Sequence, residues 1–380
     1  MRGHIRKRGK ASWAVVVELP RGPDGKRRQK WVSVRGTKKD AERVLRGLLA
    51  ELDKGMYVEP QKLTVGEFME RWLRDCARGR VSPGTFETYQ VMAREHIIGG
   101  PIGRIPLAEL RPLHIQELYA AMLERGLSPS TVNYVHILLR QALGHAVRWQ
   151  MLARNPAEAV DAPRRERKEM RALDAAQVQA LVRGIKDLRL LVPVVLAVGC
   201  GLRRSEITGL RWEDVDFQGG RLHISQTVQR LAGKGLVPLP TKTHRSRRAV
   251  ALPAAVAAIL KAWRKQQAQE RLAAGPAWRE TGLVCTAPGG GPLEPDWITK
   301  QFRKAVGELG LPPVRFHDLR HTHATLLLKA NVHPKVVSER MGHAQVGVTL
   351  DVYSHVLPGM QEEAALAIDQ ILRAASPPAV

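Results

Sequence analysis

Only three cysteines occur in 380 residues, Cys76, Cys200 and Cys285, far apart in the chain. An odd number with no short spacing excludes a disulfide framework and fits a reducing cytoplasm. No pair has the spacing of a zinc site. Long apolar runs are missing as well. The longest stretch, residues 188–199, is interrupted by Arg189 and Pro193 and is too short to span a bilayer. The N-terminus is basic but no apolar signal region follows it. No Gly-x-x-x-x-Gly-Lys-Ser/Thr loop is present, so no ATP-driven step is expected. Finally, acidic residues are scarce: 36 against 60 lysines and arginines, a formal charge of +24.

That excess points to a polyanionic partner, nucleic acid first and a membrane surface a distant second. A hydrophobic content of 44% supports packed cores rather than a disordered basic tail. The length suits two or three domains. Residues 1–60 read as a small α/β module carrying 16 basic against 7 acidic residues, a net of +9. Residues 13–17 and 31–34 have strand character around a basic, turn-rich loop, and a helix is expected from Lys39 to Leu52 with Thr37 as its cap. A small sheet with a basic rim suits DNA; a solvated basic surface is the plainer alternative.

Residues 63–157 read as all-helical. Ser82-Pro83 and Ser128-Pro129 each combine an N-cap with proline at the first helical position. Arg125, Arg140 and Arg148 could meet phosphates, though singly each reads as a surface arginine. Residues 158–168 form a charged, proline-led linker. Residues 169–380 form the largest unit: helices at 175–184 and 188–198, then three short strands at 222–225, 236–239 and 249–252 in one small sheet, then helices again. An amphipathic tail helix is expected over 361–375. The expected fold class is thus multidomain and mainly α with small antiparallel sheets.

Several segments of this last unit carry chemistry. Arg203 follows Gly199-Cys200-Gly201, glycines that could let the backbone approach a ligand closely. Arginine suits a phosphate because its planar fork stays charged and donates paired hydrogen bonds. An ion pair with Glu206 is the structural alternative, and both can hold at once. His317 and Arg320 are three apart, which a helix places on one face. His317, His321 and His323 could instead form a metal cluster, a weak pattern without an acidic partner. His343 follows Gly342 in a helix-ending turn, and Tyr353 lies ten residues further on. A free tyrosine, with a pKa of about 10, needs cations and a base to become a nucleophile. Lys242 lies in a basic hairpin from which spacing alone does not select it.

Together these segments resemble the tyrosine recombinases, the phage-integrase family. Gly201-Leu202-Arg203-Arg204-Ser205-Glu206 looks like the first arginine box. His317-Asp318-Leu319-Arg320-His321, Gly342-His343 and Tyr353 look like the second, and Thr241-Lys242-Thr243 like the sheet lysine. The departures are Cys200, where threonine is common, and Met341, where leucine is common. The resemblance implies a catalytic set of Arg203, Lys242, His317, Arg320, His343 and Tyr353, with Glu206 as a supporting carboxylate. It implies no cofactor and no metal. It further implies an arm-binding-like module over 1–60, a SAM-like core-binding domain over 63–157 and a mixed α+β catalytic domain over 169–380.

The implied partner is double-stranded DNA, at core sites and, through residues 1–60, at arm sites. A homotetramer on paired sites is implied, working in the cytoplasm at the nucleoid, with room for accessory DNA-bending or directionality proteins. The expected role is integration and excision of a prophage or mobile element. Chromosome-dimer resolution is a second expectation, ranked lower because such enzymes usually lack the extra N-terminal module. An inactive DNA-binding regulator of the same fold is a third, opposed by the six filled positions. A metal-dependent nuclease would rest on the histidine cluster alone.

Overall fold

The computed structural model describes residues 3–19, 27–53, 62–164, 171–240, 247–342, 345–353, 365–366 and 368–371, with the side chains of residues 51, 348 and 351–353 outside that set. The chain divides into two compact units, Met1–Arg167 and Lys168–Val380.

In the first unit, β1 (Gly3–Gly9), β2 (Ser12–Leu19) and β3 (Arg28–Arg35) form an antiparallel sheet in that order. Helix α1 (Lys38–Asp53) packs on one face, setting Ala41, Leu45 and Leu48 against Ile5, Val15, Val17 and Val32. Thr37 caps it as expected: Thr37 and Asp40 exchange backbone-to-side-chain hydrogen bonds of 2.9 and 3.4 Å. Strand β1 was not foreseen. Its sequence, Gly-His-Ile-Arg-Lys-Arg-Gly, holds one large apolar residue, so no alternation betrays it. It is an edge strand, fixed by its pairing with β2.

Helices α2 (Val65–Trp72), α3 (Pro83–Ala93), α4 (Pro112–Glu124) and α5 (Pro129–Arg148) follow. Ser82 and Ser128 accept from the backbone N–H of Thr85 and Thr131 at 3.4 and 3.2 Å, with proline at the first helical position in each case. These helices enclose a core around Phe68, Trp72, Ile115, Tyr119, Leu138 and Leu139.

The second unit is built around α7 (Leu188–Cys200), preceded by α6 (Ala175–Gly184). Beyond Arg189 in its first turn, helix α7 is apolar and packs against α9 (Ala254–Ala274) and α11 (Asp318–Lys329). A helix apolar on every side past its first turn must be central, and its Val192, Val194 and Leu196 are fully buried. Short α8 (Arg204–Gly209) leads to the strands. The expected single sheet is in fact two. Strands β4 (Val215–Asp216), β5 (Arg221–Ile224) and β8 (Arg248–Ala251) pair in that order, while β6 (Gln226–Leu231) and β7 (Gly235–Pro240) form a separate hairpin. Strand β6, Gln-Thr-Val-Gln-Arg-Leu, buries only Val228 and Leu231, too sparse a pattern to read as a strand alone. Helices α10 (Pro295–Glu308), α12 (Pro334–Met341) and α13 (Val346–Tyr353) complete the unit. The described part of the tail is helical and leaves Leu366, Ile368 and Ile371 exposed. Among the described residues no helix is long and apolar enough to cross a membrane.

Candidate active site

The site grows from the end of α7. Gly201 closes that helix in the left-handed region at φ 68°. A Cβ there would lie 2.6 Å from the His323 ring, and one at Gly199 would lie 2.7 Å from Val256. Both glycines therefore face protein. The expectation that they let a ligand approach is corrected: they serve the helix end and its packing.

Two residues on, Arg203 starts α8. Its backbone N–H donates to Glu206 Oε2 at 2.9 Å and its guanidinium to Oε1 at 2.7 Å. The ion pair and the exposed fork coexist, since the Arg203 side chain is 36% exposed while Glu206 is 2% exposed. A second arginine, Arg248 at the start of β8, grips the same carboxylate at 3.0 and 2.9 Å. Burial alone would raise the Glu206 pKa. The hydrogen bonds and charge of Arg248, with the charge of Arg203, reverse that and hold it at about 2.

Arg320 projects from α11 and is almost fully buried. It donates to the carbonyls of Gly201 and Met341. His317 sits at the N-terminal cap position of the same helix. Its ring keeps an open side, yet the surrounding protein and the charge of Arg320, then those of Arg315 and Arg203, lower its pKa against the opposing pull of Asp318. The ring is neutral at neutral pH.

These elements meet at the end of α12. Arg203 donates to the Gly342 carbonyl at 3.1 Å, Arg320 to that of Met341, and Arg248 Nε to that of Arg340 at 2.8 Å. Three consecutive carbonyls, the orphan acceptors of a helix end, are thus each held by an arginine. Gly342 turns the chain away in the left-handed region at φ 61°. The next residue is His343.

Comparison with known proteins decides what this arrangement belongs to. Residues 171–359 match the phage integrase family, and residues 64–123 match the phage integrase N-terminal SAM-like domain. A tyrosine recombinase XerC-like protein of Caldanaerobacter subterraneus is 29% identical over 96% of this chain and 97% of its own. The chain belongs to the phage integrase family of tyrosine recombinases, enzymes that cleave and rejoin DNA. Its fold agrees. The Tn1549 transposon integrase, solved with a circular intermediate DNA, superposes with a TM-score of 0.67 at 22% identity, over 81% of this chain and 99% of that one. A lambda integrase tetramer bound to a Holliday junction gives 0.56 at 18% identity, over 91% and 94%.

In this tyrosine recombinase, then, Arg203 with its partner Glu206 and Arg320 meet at the end of α12, and His317 lies three residues before Arg320, close enough to feel the charges of Arg320 and Arg203. Lys242 and His343 lie outside the described residues. Tyr353 ends α13, which packs on α12, and its side chain is also outside. The histidine cluster does not form. His317 and His321 have ring centroids 5.2 Å apart, but His323 hydrogen-bonds the Val198 carbonyl at 2.8 Å and packs on Gly201. Among the described residues no three His, Cys, Asp or Glu could hold a metal ion. Cys200, the departure from threonine, is a buried core thiol that burial pushes up to about 12. Arg248 was missed. It had a signal: in β8 it lies on the same face as buried Val250, a charge where period-two alternation calls for an apolar residue.

Proposed function

We propose that this recombinase acts at specific sites to integrate and excise a mobile element, through a covalent 3′-phosphotyrosine link made by Tyr353. The observation that carries this reading is the pair of arginines, Arg203 and Arg320, fixed to adjacent carbonyls at the end of the helix that leads to His343. Two fixed cations stabilise the charge that develops on a scissile phosphate, so the chemistry needs no metal for that task. Tyr353 Oη attacks phosphorus and its proton passes to neutral His317. The bond to the 5′ oxygen breaks, and Lys242 protonates that leaving group. His343 hydrogen-bonds a non-bridging oxygen. Attack by the 5′ hydroxyl of a partner strand then reverses the step. The phosphotyrosine keeps the bond energy, so no ATP is consumed.

The domain assignments follow from the same reading: residues 1–60 bind arm-type DNA, 63–157 core DNA, 158–168 link them to the catalytic domain at 169–380. The open face of the N-terminal sheet, with Arg6, Arg8 and Trp31, is the arm-facing surface. Exchange of two strands in each of two duplexes calls for four protomers. The protein works on the nucleoid in the cytoplasm.

A nicked suicide duplex carrying a core site from DNA flanking the gene tests the reading, with chelator present. A covalent adduct on a denaturing gel is expected from the wild type and not from Tyr353→Phe. An adduct from both would move the nucleophile elsewhere.

A further inference from the structure

We infer that Arg248 is a positioning residue for the reaction, aiming Arg203 through Glu206 and fixing the turn that leads to His343. This rests on the reading of Arg203 and Tyr353 given above. All three kinds of guanidinium nitrogen in Arg248 are engaged, on two separate elements. Nε holds the Arg340 carbonyl at 2.8 Å, at the end of α12. The two terminal nitrogens hold the two oxygens of Glu206, on α8, at 3.0 and 2.9 Å. The residue itself sits at the start of β8, six positions after Lys242. One buried side chain, 7% exposed, therefore ties three elements: the strand that begins six residues after the lysine, the helix bearing Glu206, and the helix end before His343.

The sharing of Glu206 explains how this acts on Arg203. Each carboxylate oxygen takes one bond from each arginine region: Oε1 from the Arg203 guanidinium and Arg248, Oε2 from the Arg203 backbone and Arg248. Without Arg248 each oxygen loses a donor. A carboxylate buried to that degree does not stay under-bonded. A donor on the neighbouring guanidinium is the second terminal nitrogen of Arg203, which now holds the Gly342 carbonyl at 3.1 Å. Taking it would rotate the Arg203 fork toward Glu206 and away from a bound phosphate. Arg248 thus satisfies the carboxylate so that Arg203 does not have to. Gly342 is part of the device, since a Cβ there would lie 3.0 Å from an Arg248 nitrogen. A lysine carries the charge but cannot span both oxygens and a carbonyl at once.

The test compares wild type, Arg248→Met, Arg248→Lys and Arg203→Ala in single-turnover cleavage of a nicked duplex. The scissile position is first mapped from the wild-type adduct. Two duplexes are used, one with an ordinary scissile phosphate and one with a neutral methylphosphonate there. Removing one negative charge from the reacting group lessens the need for a well-aimed cation. Arg248→Met is expected to bind DNA within about threefold of wild type and to cleave the phosphate about a hundredfold more slowly. On methylphosphonate its deficit should shrink to under about tenfold, as for Arg203→Ala, with Arg248→Lys intermediate on phosphate. An equal deficit on both linkages, or a wild-type rate on phosphate, overturns the inference. If Arg248→Met does not bind DNA, Arg248→Lys decides by the same two-linkage criterion. Failure of the wild type to form any adduct would instead count against the functional reading on which this rests.

Discussion

Two groups of arginines in this chain sit in opposite surroundings. On the open face of the N-terminal sheet, Arg6 and Arg8 are exposed and stack over Trp31 at 5.8 and 5.6 Å, with the indole itself 48% exposed. At the end of α12, Arg320 and Arg248 are buried, and Arg203 is half-buried, each tied to named carbonyls. Exposed arginines keep their rotamer freedom and meet phosphates through screened charge, which serves affinity. Buried ones have lost that freedom at the folding stage, so their donors are already aimed, which serves rate. Under the function proposed above, the same side chain supplies binding in one unit and catalytic geometry in the other, and burial decides which.

The sharpest break of this comparison comes from Arg320→Ala. Cleavage should fall by about two to three orders of magnitude while core-DNA binding changes by less than about tenfold. Single-turnover adduct formation beside a gel-shift titration measures both. A parallel loss of binding would mean that the buried arginines also serve affinity. Next in size is acid stability. The Glu206 pKa is depressed from 4.5 to about 2, so its stabilisation is whole above pH 4.5 and is lost as pH falls toward 2. The differential is of the order of 3 kcal/mol by linkage. Chemical denaturation of Glu206→Gln between pH 5 and 3 should show a shallower pH slope than wild type. His321 and His323, each lowered by burial to about 4, act in a neighbouring window. There the unfolded chain takes up protons first, so stability falls as pH drops from about 6.5 to 4.

A third prediction concerns rate rather than stability. His317 has a pKa below its ordinary 6.5 because of burial and Arg320. If its neutral ring takes the tyrosine proton, cleavage stays level from neutral pH to below 6.5. It then falls about tenfold per pH unit once the ring titrates. In His317→Asn the overall rate is lower and that acid limb is absent; a limb that persists assigns the titration to another group.

How far the sequence alone reaches can be judged from the same residues. The pairing of Arg203 with Glu206 and the closeness of His317 to Arg320 were legible because both spacings are local, a cap and a residue three positions into its helix. The α5 and α3 starts were legible because Ser-Pro is itself the cap. Arg248 showed only as a charge on the buried face of its strand, and its role was hidden because its partners Glu206 and Arg340 lie 42 and 92 residues away. Strands β1 and β6 were hidden because edge strands need no apolar alternation to be held by their neighbours. The glycines before Arg203 were read as a ligand approach because φ and the His323 ring are invisible in one dimension.

The smallest effect tests the exposed side of the comparison. Arg6→Ala with Arg8→Ala removes two charges that stack over Trp31. If these residues meet phosphates, affinity for arm DNA falls, and the slope of log K against log salt drops by nearly 2, about 0.9 for each phosphate left without its arginine. Cleavage of an isolated core duplex should stay at the wild-type rate, because the described partners that fix the α12 arginines belong to their own unit. Trp31→Phe separates stacking from charge: it keeps the salt slope and shifts only the intercept, by about 1 kcal/mol or less. A core-cleavage defect in the double variant would break the division drawn here, since it would mean that the exposed arginines also set the geometry of the buried ones. An unchanged salt slope would be narrower in its damage: the sheet would then present its stacked arginines to something other than a phosphate backbone, while the division between mobile and fixed arginines would stand.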